Sequence, residues 1–243
     1  MINRVLAFRC VAAALLLFAV VAGAGEDADT LDPLAAGLSP RERLDVLVER
    51  VKVEQSRVET MRASFEKDTA SSLLLEPETA RGEFLYRAPD RVLWRVREPL
   101  PVVMALTDEE MVTYFPDRKT AERVGISSVS ERVFEYLGAS GSLETLMQYF
   151  SVTAEFPDEP GEEYHLKLLP RYARIKKRIA SMDIWVDAER FLPSRLRYTE
   201  PNGDHTEYRF RDVEVNLELP DERFELELPP DVKIETVDLK RRG

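Results

Sequence analysis

A single cysteine, Cys10, and two histidines, His165 and His205, are all that 243 residues contain of those types. Cys10 lies in an N-terminal segment expected to be removed on export. The mature chain then has no disulfide, no thiolate nucleophile and no cysteine metal site. Neither histidine has a second one at metal-ligand spacing, and both sit among charged or polar neighbours in strand-like stretches, which marks them as solvated strand positions. Glycine is scarce, 10 in all, and none forms a phosphate-cradling loop. The one approach to a nucleophile elbow, Gly138-Ala139-Ser140-Gly141-Ser142, fails Gly-x-Ser-x-Gly at its last position and reads as a flexible hinge. No catalytic residue, metal or cofactor is expected. Basic residues are also in deficit, 34 against 45 acidic, for a net charge of −11. Nucleic-acid phosphates would be repelled by that balance, so nucleic acid is not an expected partner.

What is present begins with an export signal. Arg4 and Arg9 precede an apolar run over residues 11–21, too short for a comfortable membrane span, and Ala22-Gly23-Ala24 supplies a small-x-small cleavage pattern. Residues 1–24 are expected to be cleaved, leaving a soluble periplasmic protein. With two of the basic residues and none of the acidic ones gone, the remainder carries −13. Residues 25–38 read as an acidic, flexible leader, and residues 39–243 as a single domain.

Ser39-Pro40-Arg41-Glu42 is a capping box with proline at the first helical position, and Leu44, Leu47, Val51 and Val58 keep helical spacing to about residue 59. That helix either covers a sheet permanently or covers a site that opens. Strand after strand follows: from Met61, then 102–106, 111–115 and 119–124. Two helices, 128–137 and 142–150, interrupt the pattern with apolar faces that include Val133, Phe134, Leu137, Leu146 and Met147. Strands resume at 152–156, 164–169, 175–186, 195–199, 205–217 and 224–228, punctuated by Pro170, Pro193 and Pro201-Asn202-Gly203-Asp204. This is a mainly β chain with helices (α+β), expected to form one large antiparallel sheet of about ten or eleven strands, curved or closed.

The most informative stretch is residues 81–97, RGEFLYRAPDRVLWRVR. It reads as a hairpin about Ala88-Pro89-Asp90, with Phe84, Tyr86, Val92, Trp94 and Val96 on one apolar face, and Leu85 and Leu93 on a solvated face among charges. A second distinctive stretch, RYARIKKR at 171–178, is the most basic in the chain. It fits either the solvated edge of a long strand or a docking, headgroup-facing patch.

The order Gly82, Phe84, Tyr86, Pro89, Trp94 and Pro99 resembles the periplasmic outer-membrane lipoprotein carriers, the LolA-like proteins. So do Met61-Arg62-Ala63-Ser64-Phe65, Tyr114-Phe115-Pro116, Gly203-Asp204-x-Thr206 leading to Phe210, and then Asn216, Phe224 and Pro229-Pro230-Asp231-Val232. The resemblance spans most of residues 40–235. It implies an incomplete, strongly curved antiparallel barrel whose concave side is covered by a helical lid, enclosing an apolar cavity for acyl chains. It implies a non-catalytic, monomeric carrier that takes lipidated protein from an inner-membrane donor complex to an outer-membrane acceptor. The implied cavity lining is Phe84, Tyr86, Val92, Trp94, Val96, Met104 and Met111, with lid residues Phe134, Leu137, Leu146 and Met147. Where the family carries an arginine before the hairpin proline this chain has Ala88, leaving Arg87 and Arg91 as candidate lid or docking arginines. Other readings are a carrier of another amphiphile such as a glycolipid, a lipoprotein-sensing interaction module of the same fold, and, least favoured, an enzyme acting on lipids.

Overall fold

The structure is a computed structural model that describes residues 31–74, 76–107, 109–125, 143–159 and 161–237. The hinge at 138–141 and the helix expected over 128–137 lie outside these residues.

Helix α1 (Pro40–Ser56) starts where its capping box dictates. The Ser39 hydroxyl accepts from the Glu42 amide at 3.3 Å, and the Glu42 carboxylate accepts from the Ser39 amide at 2.8 Å. It stops three residues short of expectation because the chain beyond it is held elsewhere. Asn216 accepts from the Glu59 amide at 2.8 Å and donates to the Arg57 carbonyl at 3.0 Å. Asn216 itself adopts φ 57°, a left-handed conformation that asparagine tolerates. One side chain thus joins the exit of α1 to the end of the penultimate strand. In the leader, residues 31–38 form turns and Pro33 is buried.

Twelve strands follow among the described residues: β1 (Thr60–Ala70), β2 (Glu78–Arg87), β3 (Arg91–Glu98), β4 (Val102–Leu106), β5 (Glu110–Phe115), β6 (Thr120–Gly125), β7 (Phe150–Glu155), β8 (Tyr164–Pro170), β9 (Ser181–Val186), β10 (Pro193–Thr199), β11 (His205–Val215) and β12 (Lys233–Thr236). They form one curved sheet in the order β12-β6-β5-β4-β3-β2-β1-β11-β10-β9-β8-β7. The long central strand β1 joins the two halves, pairing with β2 on one side and β11 on the other. All pairings are antiparallel except β12 with β6, which is parallel. The edges β12 and β7 do not meet among the described residues, so the sheet stays open.

Helix α2 (Leu143–Tyr149) ends one residue earlier than expected, since Phe150 already pairs with Pro170 as the start of β7. The strand expected over 175–186 is two elements. Residues Ala173–Lys176 form the helical turn α3, which drops Ile175 and Ile179 into the core, and extended pairing begins only at Ser181. Residues 224–228 form no strand either. A 3-10 turn (Asp221–Arg223) precedes them, and their alternation reflects packing on the back of the sheet rather than a ladder.

Leu85 and Leu93 correct the expectation of a solvated outer face. Both are buried, with Ala105, Leu219 and Phe224, in a second apolar cluster. The C-terminal arm after β11 crosses behind β2, β3 and β4 and then adds β12 to the far edge. A hairpin read alone cannot reveal a cover that arrives more than a hundred residues later.

Gly82 has a direct steric role. An added Cβ would lie 2.0 Å from the Arg95 carbonyl oxygen and 2.6 Å from the Phe65 ring, which crosses the strand opposite it.

Candidate functional site: the concave apolar face

Alternation along β2 and β3 brings Phe84, Tyr86, Val92, Trp94 and Val96 to one face, with Phe84 opposite Trp94 and Tyr86 opposite Val92. Met104 of β4 lies opposite Trp94, and Met111 of β5 opposite Val124. All seven belong to, or pack against, one core cluster together with Leu146 and Met147 of α2 and Leu47, Val48 and Val51 of α1. Phe134 and Leu137 lie outside the described residues.

Trp94 is the hub. Its ring lies 4.5 Å from Phe65, 5.1 Å from Phe84, 5.5 Å from Tyr208 and 6.0 Å from Phe210, the last three edge-on. It is 2% exposed and Phe84 0%, so here the face is filled by its own aromatic rings and by the helices over it. Phe65, Tyr208 and Phe210 are absent from the lining expected from sequence. Their signal is there, in Met61-Ala63-Phe65 and Thr206-Tyr208-Phe210, but which face those strands share with β2 depends on register.

Helix α1 is also held by charge over aromatic faces: the Arg50 guanidinium lies 4.6 Å from the Phe191 ring and that of Arg43 5.8 Å from Phe156. Nearby, burial and then the charge of Asp32 push the Tyr164 hydroxyl above its ordinary pKa.

Arg87 and Arg91 point to the other side of the sheet. Both pair with Asp221 of the C-terminal arm, Arg91 at 3.5 Å, and Arg87 also lies 5.1 Å over the Phe224 ring. Ala88 packs against the concave cluster.

The convex face is a lattice of charges. Arg209 bridges Asp68 at 2.6 Å and Glu66 at 3.4 Å, Arg81 meets Glu66 at 2.9 Å, and Arg197 donates to the buried Glu207 at 2.7 Å. Partial burial alone would raise the Asp68 carboxyl, but the Thr79 hydroxyl and Arg209 outweigh it and hold the group below its ordinary value. His165 is more enclosed than expected. Its ring stacks on Trp185 at 4.6 Å between Glu155 and Asp183, and Arg195 covers Trp185 at 3.6 Å. The Glu155 carboxyl is lowered by its hydrogen bond from His165. Among the described residues, no group of three or more His, Cys, Asp or Glu side chains could hold a metal ion, and no helix is long and apolar enough to cross a membrane.

Comparison with known proteins agrees with this architecture. Residues 56–227 match the family described as "Outer membrane lipoprotein carrier protein LolA". A protein of Chromohalobacter salexigens named outer-membrane lipoprotein carrier protein is 26% identical over 168 residues, covering 68% of this chain and 73% of that one. Among solved structures, an uncharacterized conserved protein from Thermus thermophilus shares the fold with a TM-score of 0.54 at 9% identity, over 80% of this chain and 99% of that one. A LolA superfamily protein from Nitrosomonas europaea aligns with a TM-score of 0.37 at 13% identity, over 70% of this chain and 91% of that one. With its open antiparallel sheet, helix-covered apolar face and a match over most of its length, the chain belongs to the LolA outer-membrane lipoprotein carrier family.

Proposed function

We propose that this protein is an exported, non-catalytic carrier that takes the acyl chains of lipoproteins against its concave face and ferries them toward the outer membrane. The observation that carries the reading is that face itself. It is a continuous aromatic and aliphatic surface on a single-layer sheet, covered by helices rather than by a second sheet. Helices can be displaced without breaking a strand ladder. A 16-carbon chain loses about 12 kcal/mol of favourable burial on entering water, at roughly 0.8 kcal/mol per methylene, so transit across an aqueous compartment needs a temporary apolar site. Because Phe84, Trp94 and their neighbours fill the face in this structure, cargo must displace α1, α2 or both to reach it. The name of the Chromohalobacter salexigens relative supports lipoprotein as the cargo. Membership of a carrier family favours binding over catalysis.

A carrier of another amphiphile is the second reading, and Ala88 favours it. An apolar methyl packs where the family's arginine would stand, while Arg87 and Arg91 are committed to Asp221 on the opposite face.

The test compares Trp94→Ala with its parent in a Trp185→Phe background, titrating a fluorescent triacylated peptide and a glycolipid while recording unfolding. A cargo-facing Trp94 changes its emission intensity or wavelength on binding as acyl chain replaces its present neighbours, and its replacement lowers affinity per folded molecule. If the variant loses only stability, about 3–5 kcal/mol, with affinity per folded molecule unchanged, the concave face is plain core and the proposal fails. Tighter binding of the glycolipid than of the peptide would select the second reading.

A further inference from the structure

The two ends of the strands differ. Register places the described residues of the β1–β2 loop (71–74 and 76–77) beside the β10–β11 turn (200–204), because Ala70 faces His205. The β8–β9 connection (171–180) comes next, because Thr199 faces Ser181. The β3–β4 connection (99–101) shares the same end, with Arg81 opposite Glu98. Of the eight exposed large apolar side chains among the described residues, five stand at this end: Leu73, Leu74, Leu100, Leu169 and Tyr172. Leu73 is 86% exposed.

The leucine loop is held in place. Asp204 accepts from the Ser71 hydroxyl at 2.7 Å and from the Ser72 amide at 2.8 Å, and the Leu74 amide donates to the Ser71 carbonyl at 2.9 Å. These bonds fix the base of the loop while Leu73 and Leu74 face solvent. The same end carries the basic run. Arg171, Arg174, Lys176 and Lys177 are exposed on and around α3, whose position is secured by the buried Ile175 and Ile179. Arg174, Lys176 and Lys177 have no acidic partner at ion-pair distance among the described residues. The acids at this end, with Glu76, Glu78, Glu98, Glu200 and Asp204 among them, lie on the other strands and connections, so the positive charge is local to one turn in a chain of net charge −11.

We propose that this rim is a membrane-contacting surface: the leucines and Tyr172 enter the interfacial layer of a bilayer, and the cations of the β8–β9 turn meet anionic headgroups. Lipid suits the arrangement better than a protein does. The apolar side chains are spread over three connections and the end of β8, and a fluid surface closes around each group, whereas a folded partner would need a matching socket for every one. The cations orient a protein whose net charge would otherwise hold it away from an anionic surface. The inference does not depend on the cargo, since empty vesicles suffice to test it.

Flotation of the exported protein with vesicles of phosphatidylethanolamine and phosphatidylglycerol, at low and high salt and against phosphatidylcholine alone, provides that test. The anionic vesicles are expected to carry the protein, and salt to weaken the association. Leu73→Ser with Leu74→Ser, and separately Lys176→Glu with Lys177→Glu, are each expected to lower binding about tenfold, the second pair also removing the salt dependence. All four positions are exposed, and an unchanged melting midpoint confirms that the variants fold. Absence of binding to the anionic vesicles overturns the proposal, as does binding that neither pair of substitutions diminishes. Retention on an acidic polypeptide through Lys176 and Lys177, without vesicle binding, would overturn it in favour of an acidic protein partner.

Discussion

Gly82 shows how much a single residue can carry in an open sheet. The Phe65 ring must pass over its strand to reach Trp94, and the Arg95 carbonyl lies directly behind it. A methyl group here meets backbone on one side and a packed aromatic ring on the other. Neither can yield as the far end of a flexible side chain would. Gly82→Ala is therefore expected to destabilise by about 1–3 kcal/mol, towards the upper limit because backbone must shift, as read from the chemical denaturation midpoint. A midpoint within experimental error of the parent would mean that the Phe65–Trp94 pair does not depend on this approach. Gly82, Phe84 and Trp94 are legible in the sequence as a hairpin pattern. The reason for Gly82 is not, because it lies in a ring from the neighbouring strand.

Among the elements, the C-terminal arm differs most from what its sequence implies. Leu219 and Phe224 cover Leu85, Leu93 and Ala105, while Arg87 and Arg223 reach Asp221 and Glu83 at the surface. Phe224→Ala should cost about 3 kcal/mol by uncovering that cluster, whereas Arg87→Ala should cost under about 1 kcal/mol, since its partner Asp221 is largely exposed. Urea unfolding of both variants decides this, and equal costs would mean that the ion pair, not the ring, holds the arm. The β1–β2 loop has its own tether in Asp204. The Ser72 amide, followed by the Ser71 hydroxyl, holds the Asp204 carboxyl below its ordinary value of 3.8. A lowered folded-state pKa gives stability that is present above the unfolded value and is lost as pH falls through the folded one. Asp204→Asn should therefore be less stable than the parent at neutral pH, and the difference should shrink below about pH 3.8 as the parent protonates. Thermal melts across that range would show it. A difference that does not change with pH would mean the tether is not ionic.

At the scale of the whole molecule, the sheet's two faces have different duties. The convex face is covered partly by the arm and partly by the lattice of Glu66, Asp68, Arg81, Arg197, Glu207 and Arg209. The concave face is covered by α1 and α2, which touch each other as well as the sheet. If cargo enters by displacing that cover, a disulfide engineered from Leu146 to the strand beneath it should abolish acyl-peptide uptake when oxidised and restore it when reduced. With no cysteine other than Cys10, the parent offers no competing thiol pair. Uptake by the oxidised protein at the parental rate would place entry elsewhere.

Local pattern alone determined the start of α1, the alternation of β2 and β3, and the apolar face centred on Trp94, while the family showed in the order of motifs spread over residues 40–235. These are legible because capping and two-residue periodicity are properties of neighbours in sequence. Tertiary structure decided what covers each face. Phe65, Tyr208 and Phe210 join Trp94 only because β1 and β11 pair in one register, and Leu85 and Leu93 leave the solvent only because the arm crosses behind them. Alternation sets Arg87, a candidate lid or docking arginine, on the side of Leu85, but its pairing there with Asp221 and Phe224 depends on the return of the arm. In each case the deciding contact spans a long sequence separation. Alternation assigns a side chain to one of two faces, but whether that face meets water, a helix or another segment depends on where the rest of the chain returns.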